Sequence, residues 1–517
     1  MPSGRPALPS TRGRSSAAAL HALARMFTGD ATPSSRTCLE KRRGRRVSKT
    51  ESAPQGQSPW GVCWLAVLAV LFVGCAHAPR NLPLARYDPS AGYRFQTRAG
   101  PSDSSGLMVA LFFSGGGTRA AAFSYGVLRE LAATPVPGAH HMLDDVTTIN
   151  AVSGGSFTAA YYCLYGDRIF ADFENDFLKR NVQSTLFFRC LSPRNCVRLF
   201  SSNFGRSDLA AEYYDEILFH GATFGDLARN ASGRPFLVIN ATNISTCSPV
   251  QFTQDQFDLI GSDLSRYPIS RAVAASSAVP LLFTPITLKN YADQVPPAAS
   301  FLLPQTNSSD VFSGYRAALT ETSHAYRDTE KYPYVHLMDG GLVDNLSLRN
   351  LLDAVTLSGG WDSVLERVRR RGINKLAIIV VNAAVEAKQD WARREQTPGL
   401  ISVVSALSNS SVIRTNKETE ALVEGSLAMW QSQRPARWSG TREQPKVYFI
   451  RVHFHSSPDA AERTYLDAIP TSLHLPAETV DRLIQAGSRL LREAPAYREL
   501  LQDLEVNQPV RMAGTPP

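Results

Sequence analysis

Ala151-Val152-Ser153-Gly154-Gly155 is the stretch on which the reading of the chain turns. Before it, Val146-Thr147-Thr148-Ile149-Asn150 is β-branched and apolar, which predicts a strand. After it, Ser156 to Tyr162 is compatible with a helix. A serine at a sharp strand-to-helix turn is held out at the carboxyl end of a sheet, facing the free N–H groups and positive dipole end of the helix. Gly155 lets the backbone cross closely there. The usual elbow, G-x-S-x-G, has a glycine where this chain has Ala151. Read locally, Ser153 is either a nucleophile or a helix-capping serine.

Working upstream, Leu107 to Phe113 is a continuous apolar run, as expected of a strand buried on both faces. It ends in Ser114-Gly115-Gly116-Gly117-Thr118-Arg119, and Ala120 to Ala133 follows with helical spacing of Ala121, Phe123, Val127, Leu128 and Leu131. Three glycines at such a junction bare N–H groups beside a helix N-terminus, an arrangement that suits an anion. The Gly-Lys-Ser/Thr ending of a phosphate-cradling loop is missing, and Ala120 breaks the dinucleotide pattern. An oxyanion hole remains as the functional reading, with a tight packing turn as the other. Strand, glycine loop, helix, strand, serine elbow and helix in succession predict an α/β architecture with a mostly parallel sheet.

Downstream, residues 167–234 read as helices and loops, and Phe236 to Thr242 as a strand. A short strand is expected near Gln251-Phe252-Thr253. Ile269 to Ala278 is helical and stopped by Pro280. Residues 289–334 are polar and irregular, which suits a lid or a surface insertion. Tyr334 to Met338 reads as a strand ending in Asp339-Gly340-Gly341, an aspartate at the same sheet edge as Ser153 or simply a common turn. Leu346 to Leu357, Leu400 to Trp430 and Pro476 to Leu504 read as helices, and Lys375 to Val381 and Val447 to Val452 as strands.

The net charge of +8 has one source: residues 1–60 hold eleven Lys/Arg against three Asp/Glu, which leaves the remainder neutral. Nucleic-acid binding by the body of the protein is therefore not expected. The basic region precedes an apolar run from Trp60 to Gly74, which is short for a membrane span and suits a signal segment. Val73-Gly74-Cys75 resembles the cleavage site of bacterial lipoproteins, with Cys75 as the lipid-bearing residue; an uncleaved N-terminal anchor is the alternative. Of seven cysteines, four lie beyond Cys75. Cys190 and Cys196 fall in a loop-like stretch with Pro193 between them, and export would allow them to pair. No Cys/His grouping has zinc spacing, so no metal is expected.

Taken in order, Gly115-Gly116-Gly117-Thr118-Arg119, Val152-Ser153-Gly154-Gly155-Ser156 and Asp339-Gly340-Gly341 resemble the motifs of the patatin-like phospholipase family. Ala275-Ser276-Ser277-Ala278-Val279-Pro280, with Phe283 and Pro285, also resembles the family's segment between elbow and aspartate. The resemblance runs from about Leu107 to Leu352 and implies a three-layer α/β fold, a mostly parallel sheet with helices on both faces. It implies Ser153 as nucleophile, Asp339 as its base and Gly115, Gly116 and Gly117 as the oxyanion hole. Thr118, Arg119, Gly155, Gly340 and Gly341 become supporting or substrate-side residues. Ser114 replaces an acidic residue common before the glycines, and Ala151 replaces the elbow glycine.

The expected organisation is a leader with signal or anchor over 1–76, a tether over 77–106, a catalytic domain over 107–352 and a C-terminal α/β extension over 353–517 that completes the domain. The expected activity is hydrolysis of a phospholipid or lysophospholipid ester at a membrane surface, without a cofactor. An Asp base acting directly on serine suffices if a partly dry site raises its proton affinity. Two competing readings are a Ser-His-Asp triad, with His453 or His455 by chain order, and a lipid-binding lipoprotein without turnover.

Overall fold

The computed structural model describes residues 81–97, 106–137, 140–230, 233–295, 313–385, 395, 400–437 and 445–506. Eight strands make the main sheet: β1 (Leu107–Phe113), β2 (Val146–Val152), β3 (Phe236–Asn243), β4 (Ser248–Gln251), β5 (Ile286–Lys289), β6 (Tyr334–Asp339), β7 (Lys375–Asn382) and β8 (Lys446–His453). Their order is β8-β7-β1-β2-β3-β6-β5, with β4 folded back on the end of β3. β8, β7, β1, β2 and β3 run parallel. β6, β5 and β4 make antiparallel pairs. The sheet is thus mixed, and the strand that carries Asp339 belongs to its antiparallel wing.

The apolar runs alternate between two cores because successive side chains of a strand point to opposite faces. Val109, Leu111 and Phe113 of β1 and Ala377, Ile379 and Val381 of β7 enter one buried cluster. Ala110 and Phe112, with Leu376, Ile378 and Val380, enter another on the opposite face. Helices cover both. The helices that bear on function are α1 (Gly117–Ala133), α2 (Gly154–Tyr165), α3 (Val182–Leu191), α4 (Pro193–Leu199), α5 (Arg206–Tyr214), α6 (Ile269–Ser276), α7 (Ser313–Arg327), α8 (Arg349–Leu357), α9 (Trp361–Arg370), α10 (Leu400–Arg437), α11 (Ala477–Glu493) and α12 (Pro495–Val506). Phe123 of α1, Phe157 of α2 and Leu483 of α11 lie in the first cluster. Val355 of α8, Trp361 of α9 and Val423 of α10 lie in the second. This is a three-layer α/β arrangement. Complete burial of each such side chain contributes on the order of 1.5–3 kcal/mol.

Residues beyond 352 are part of the same sheet. β7 lies between β1 and β8, so β1 has a neighbour on each side. α11 packs against α1 so closely that a methyl group on Gly126 would stand 2.2 Å from the Ile484 carbonyl oxygen.

Two expectations need correction. Within 289–334, Ser313–Arg327 is helical rather than irregular, while residues 296–312 lie outside the described residues. Cys190 and Cys196 are not in a loop: they belong to α3 and α4, with only Ser192 between the two helices. Both thiols are free, and the Cys196 thiol donates to the Cys190 carbonyl at 3.2 Å. Pro193 opens α4 at its first turn instead of turning a loop, so the second sulfur faces backbone and not its partner. Trp361–Arg370 and Ile286–Lys289 form a helix and a strand that had no expectation attached.

Candidate active site

Ser153 follows β2 directly and precedes the first residue of α2. Its backbone sits at φ 49°, ψ −119°, a conformation that costs a non-glycine residue on the order of 1–3 kcal/mol. The turn persists because surrounding groups hold it. The Ser153 N–H donates to Ser276 Oγ at 2.8 Å, and Ser276 Oγ in turn donates to the Asn240 carbonyl at 2.6 Å. Ser156 Oγ and the Ser156 N–H both donate to the Ser153 carbonyl. Gly154 and Gly155 are required by contact: a Cβ on either would fall within 2.7 Å of the glycine-loop strand or turn, at Gly117 O, Phe113 Cβ or Ser114 O. Ala151 is fully buried in the core beneath the turn, so the methyl group in place of the elbow glycine is accommodated by packing.

Asp339 arrives from the opposite direction. β6 runs antiparallel to β3, with Asp339 opposite Ala241, while Val152 pairs with Asn240 on the other edge of β3. Its last residue therefore comes back to the edge where β2 ends. Ser153 Oγ donates to Asp339 Oδ2 at 2.9 Å. The Gly341 N–H donates to Asp339 Oδ1 at 2.8 Å. The Asp339 and Gly340 N–H groups donate to the Ala278 and Ser276 carbonyls. Burial raises the Asp339 carboxyl to about 6, against the hydrogen bonds from Gly341 and Ser153, which favour the ion. A carboxylate so tuned is protonated far more readily than an exposed one.

The glycine loop stands beside the elbow. Gly116 and Gly117 have φ 141° and 61°, which only glycine adopts readily. A Cβ on Gly115 would lie 3.1 Å from Ser153 Cβ. The Gly115 N–H, however, donates to the Asn345 carbonyl at 3.1 Å, and the Thr118 N–H to the Ser472 carbonyl at 2.8 Å. Among the described residues, the N–H groups of Gly116 and Gly117 have no such partner. The loop therefore offers two free donors, not the three its glycines suggested, and Gly115 instead closes the turn against Asn345.

Residues 111–352 match the family model described as patatin-like phospholipase. The chain carries a patatin-like phospholipase domain. It is similar in structure to human GIVD cytosolic phospholipase A2, with 14% identity over 77% of this chain and 62% of that chain, at a TM-score of 0.38. The same human protein in complex with methyl gamma-linolenyl fluorophosphonate shows 16% identity over 80% and 60% of the two chains, again at a TM-score of 0.38. The chain thus spans about 60% of the length of these neighbours. No curated protein matches it significantly.

Within the patatin-like domain, Arg119 does not face the site. It is buried, with Nε donating to the Ala383 carbonyl at 2.9 Å and Nη1 to the Ile469 carbonyl at 2.6 Å. Burial lowers its guanidinium to about 10, partly offset by Asp467. Arg119 is thus a clasp between the glycine loop and the C-terminal residues. Ser114, where an acidic residue is common, accepts from the Ala383 N–H at 2.8 Å and ties down the same junction.

The histidines stand elsewhere. His336 meets Thr287 Oγ1 of β5 at 3.0 Å, away from Asp339. His453 ends β8, three strands from β2, or about 14 Å at ordinary strand spacing. Burial lowers His453 to about 4, helped by Arg451 and His455. His455 lies 3.6 Å from Asp467. None reaches Ser153. Among the described residues no group of His, Cys, Asp and Glu could hold a metal ion, and no helix is long and apolar enough to cross a membrane. Cys75 and the 1–76 leader lie outside the described residues.

Three site residues had no functional reading in the sequence: Ser276, Asn345 and Ser472. Ser276 carried a signal, because the small-residue stretch around it was distinctive. Asn345 and Ser472 carried none, since they act through backbone carbonyls that any residue possesses.

Proposed function

We propose that the protein hydrolyses carboxylic esters of phospholipids or lysophospholipids through a Ser153/Asp339 dyad. The observation that carries this reading is the 2.9 Å hydrogen bond from Ser153 Oγ to a buried Asp339 whose carboxyl is raised to about 6. The Ser153 hydroxyl proton passes to Asp339 Oδ2 as Oγ bonds to the ester carbonyl carbon. The carbonyl oxygen becomes an oxyanion facing the Gly116 and Gly117 N–H groups, and each such donor is worth about 3–4 kcal/mol in acyl transfer. The C–O bond to the alcohol then breaks, and the alcohol leaves with the proton from Asp339. Asp339 next takes a proton from water, whose oxygen bonds to the acyl carbon; the bond to Ser153 Oγ then breaks, Asp339 returns that proton to Oγ, and the fatty acid is released. The serine strain supports this role, since a capping serine does not need φ 49°. A fluorophosphonate probe is expected to label the protein at Ser153 and to leave a folded Ser153→Ala variant unlabelled. Equal labelling of both would reject the assignment.

The chain is further proposed to reach its lipid as an exported lipoprotein, because a basic region precedes an apolar run that ends at Cys75. Cys75→Ser is expected to remain an unprocessed precursor without radiolabelled fatty acid; normal labelling of that variant would exclude Cys75 as the acceptor.

A further inference from the structure

Among the described residues, exposed apolar side chains gather around one helical hairpin. Phe187, Phe188 and Leu191 on α3 and Phe200 just after α4 are 61%, 68%, 58% and 83% exposed. Leu281 and Leu282, in the turn after α6, are 57% and 65% exposed. Single exposed apolar residues are ordinary, but several on one short hairpin call for an occupant. The start of α5, which follows the hairpin in the chain, is joined to the turn. Arg206 Nη2 donates to the Leu281 carbonyl at 3.0 Å, and the Ser207 N–H donates to Thr284 Oγ1. Phe204 packs beside Cys190 and Leu199 beneath the hairpin.

The turn is also joined to the site. Leu281 follows Ser276 and Ala278, which hold Ser153 and Asp339 through Oγ and carbonyl contacts. Leu281 itself is held at φ 72°.

Charge identifies the occupant. From Lys179 to Arg206 the sequence has six Lys/Arg and no Asp or Glu. Arg189 and Arg198 are balanced by Glu216 and Glu212 of the neighbouring segment, and Lys179 by Glu174 and Asp481. Arg180 and Arg194 are exposed and, among the described residues, have no ion pair. Exposed aromatic and leucine side chains on a short helical hairpin, with cations around them and no acidic residue along its length, match the chemistry of an anionic bilayer surface.

We infer that the hairpin of α3 and α4, with the Leu281-Leu282 turn, docks the protein on an anionic lipid bilayer and brings the Ser153 edge to it. This rests on the proposed lipid substrate for its purpose, but not for its measurement. In the full chain carrying Ser153→Ala, hydrogen–deuterium exchange is compared with and without phosphatidylcholine vesicles containing phosphatidylglycerol. Slower exchange over 182–200 and 279–284 is expected. No protection there, whatever happens in the N-terminal segment, would overturn the inference; so would protection that instead follows protein concentration, which would point to a second copy. In the otherwise unaltered chain, Phe187→Ser with Phe188→Ser, and separately Arg180→Glu with Arg194→Glu, are expected to lower hydrolysis of phosphatidylglycerol vesicles about tenfold or more while leaving a soluble nitrophenyl butyrate unaffected. Unchanged vesicle hydrolysis in both variants would refute docking. A chain inert towards either ester would refute the hydrolase reading, and vesicle protection would still decide the docking.

Discussion

Two adjacent strand-to-helix turns in this molecule solve the same geometric problem in opposite ways. The turn after β1 uses Gly116 and Gly117 at φ 141° and 61°, while the turn after β2 uses Ser153 at φ 49°. A positive φ is nearly free for glycine and strained for serine. The first turn therefore leaves the Gly116 and Gly117 N–H groups without a hydrogen-bond partner among the described residues. The second spends conformational energy to hold out a side chain. The difference teaches that the two functions need different residues at one backbone shape, and it can be broken from either side.

Asp339→Asn removes the acceptor that the strained serine serves, and has the largest expected effect. Ester turnover should fall by about 10³–10⁵-fold, whereas His336→Ala, His453→Ala and His455→Ala should each stay within about twofold. Collapse in any folded histidine variant would favour a triad. In the parent protein, turnover should rise with pH through about 6 and level off above it, because the base must be ionised. Stability has the opposite sign. The folded-state value is raised above the unfolded one, so the stabilising contribution is complete below about 4 and lost as pH rises through about 6. Asp339→Asn should consequently gain on the order of 1–3 kcal/mol over the parent at pH 8, with the gap closing below pH 4, as read by urea unfolding.

Gly117→Ala attacks the first turn. Its new methyl group would fall 2.3 Å from the Ser472 carbonyl oxygen, at a φ that disfavours it. Turnover should drop by roughly 10²-fold and stability by about 1–3 kcal/mol. A fully active, equally stable variant would remove this loop from the site. Ser276→Ala is the mildest case. It withdraws the acceptor of the Ser153 N–H and should lower kcat about tenfold with KM little changed, because it positions the serine and touches no substrate. A matching rise in KM would instead give Ser276 a part in binding.

Much of this arrangement is legible in the sequence. Of the parallel strands, β1 and β7 are long apolar runs, while β2, β3 and β8 are rich in β-branched and aromatic residues, and both patterns declare themselves. The two turns declare themselves through glycine and serine. The direction of β6 did not, because period-two alternation is the same read either way along a strand. The loss of Gly115 as a free donor was also hidden, since its partner is a backbone carbonyl 230 residues away in sequence. The free thiols show the limit of spacing arguments: Cys190 and Cys196 are near in sequence, but the helix boundary at Ser192 and Pro193 fixed their directions. Arg119 reads in the motif as a supporting or substrate-side residue, and its partners lie in a region where the family resemblance had ended.

That clasp has a consequence for where the folding unit ends. The family match stops at residue 352, but a chain cut there would lose β7 and β8. β1 would become an edge, its ladder open to any passing strand, with an apolar face along its length. The Arg119 cation would remain inside with neither the Ala383 nor the Ile469 oxygen to receive its N–H groups. The boundary recognised by sequence similarity would thus be a fracture plane through one cooperative body, and the residues beyond 352 are the buttress that keeps the glycine turn in shape.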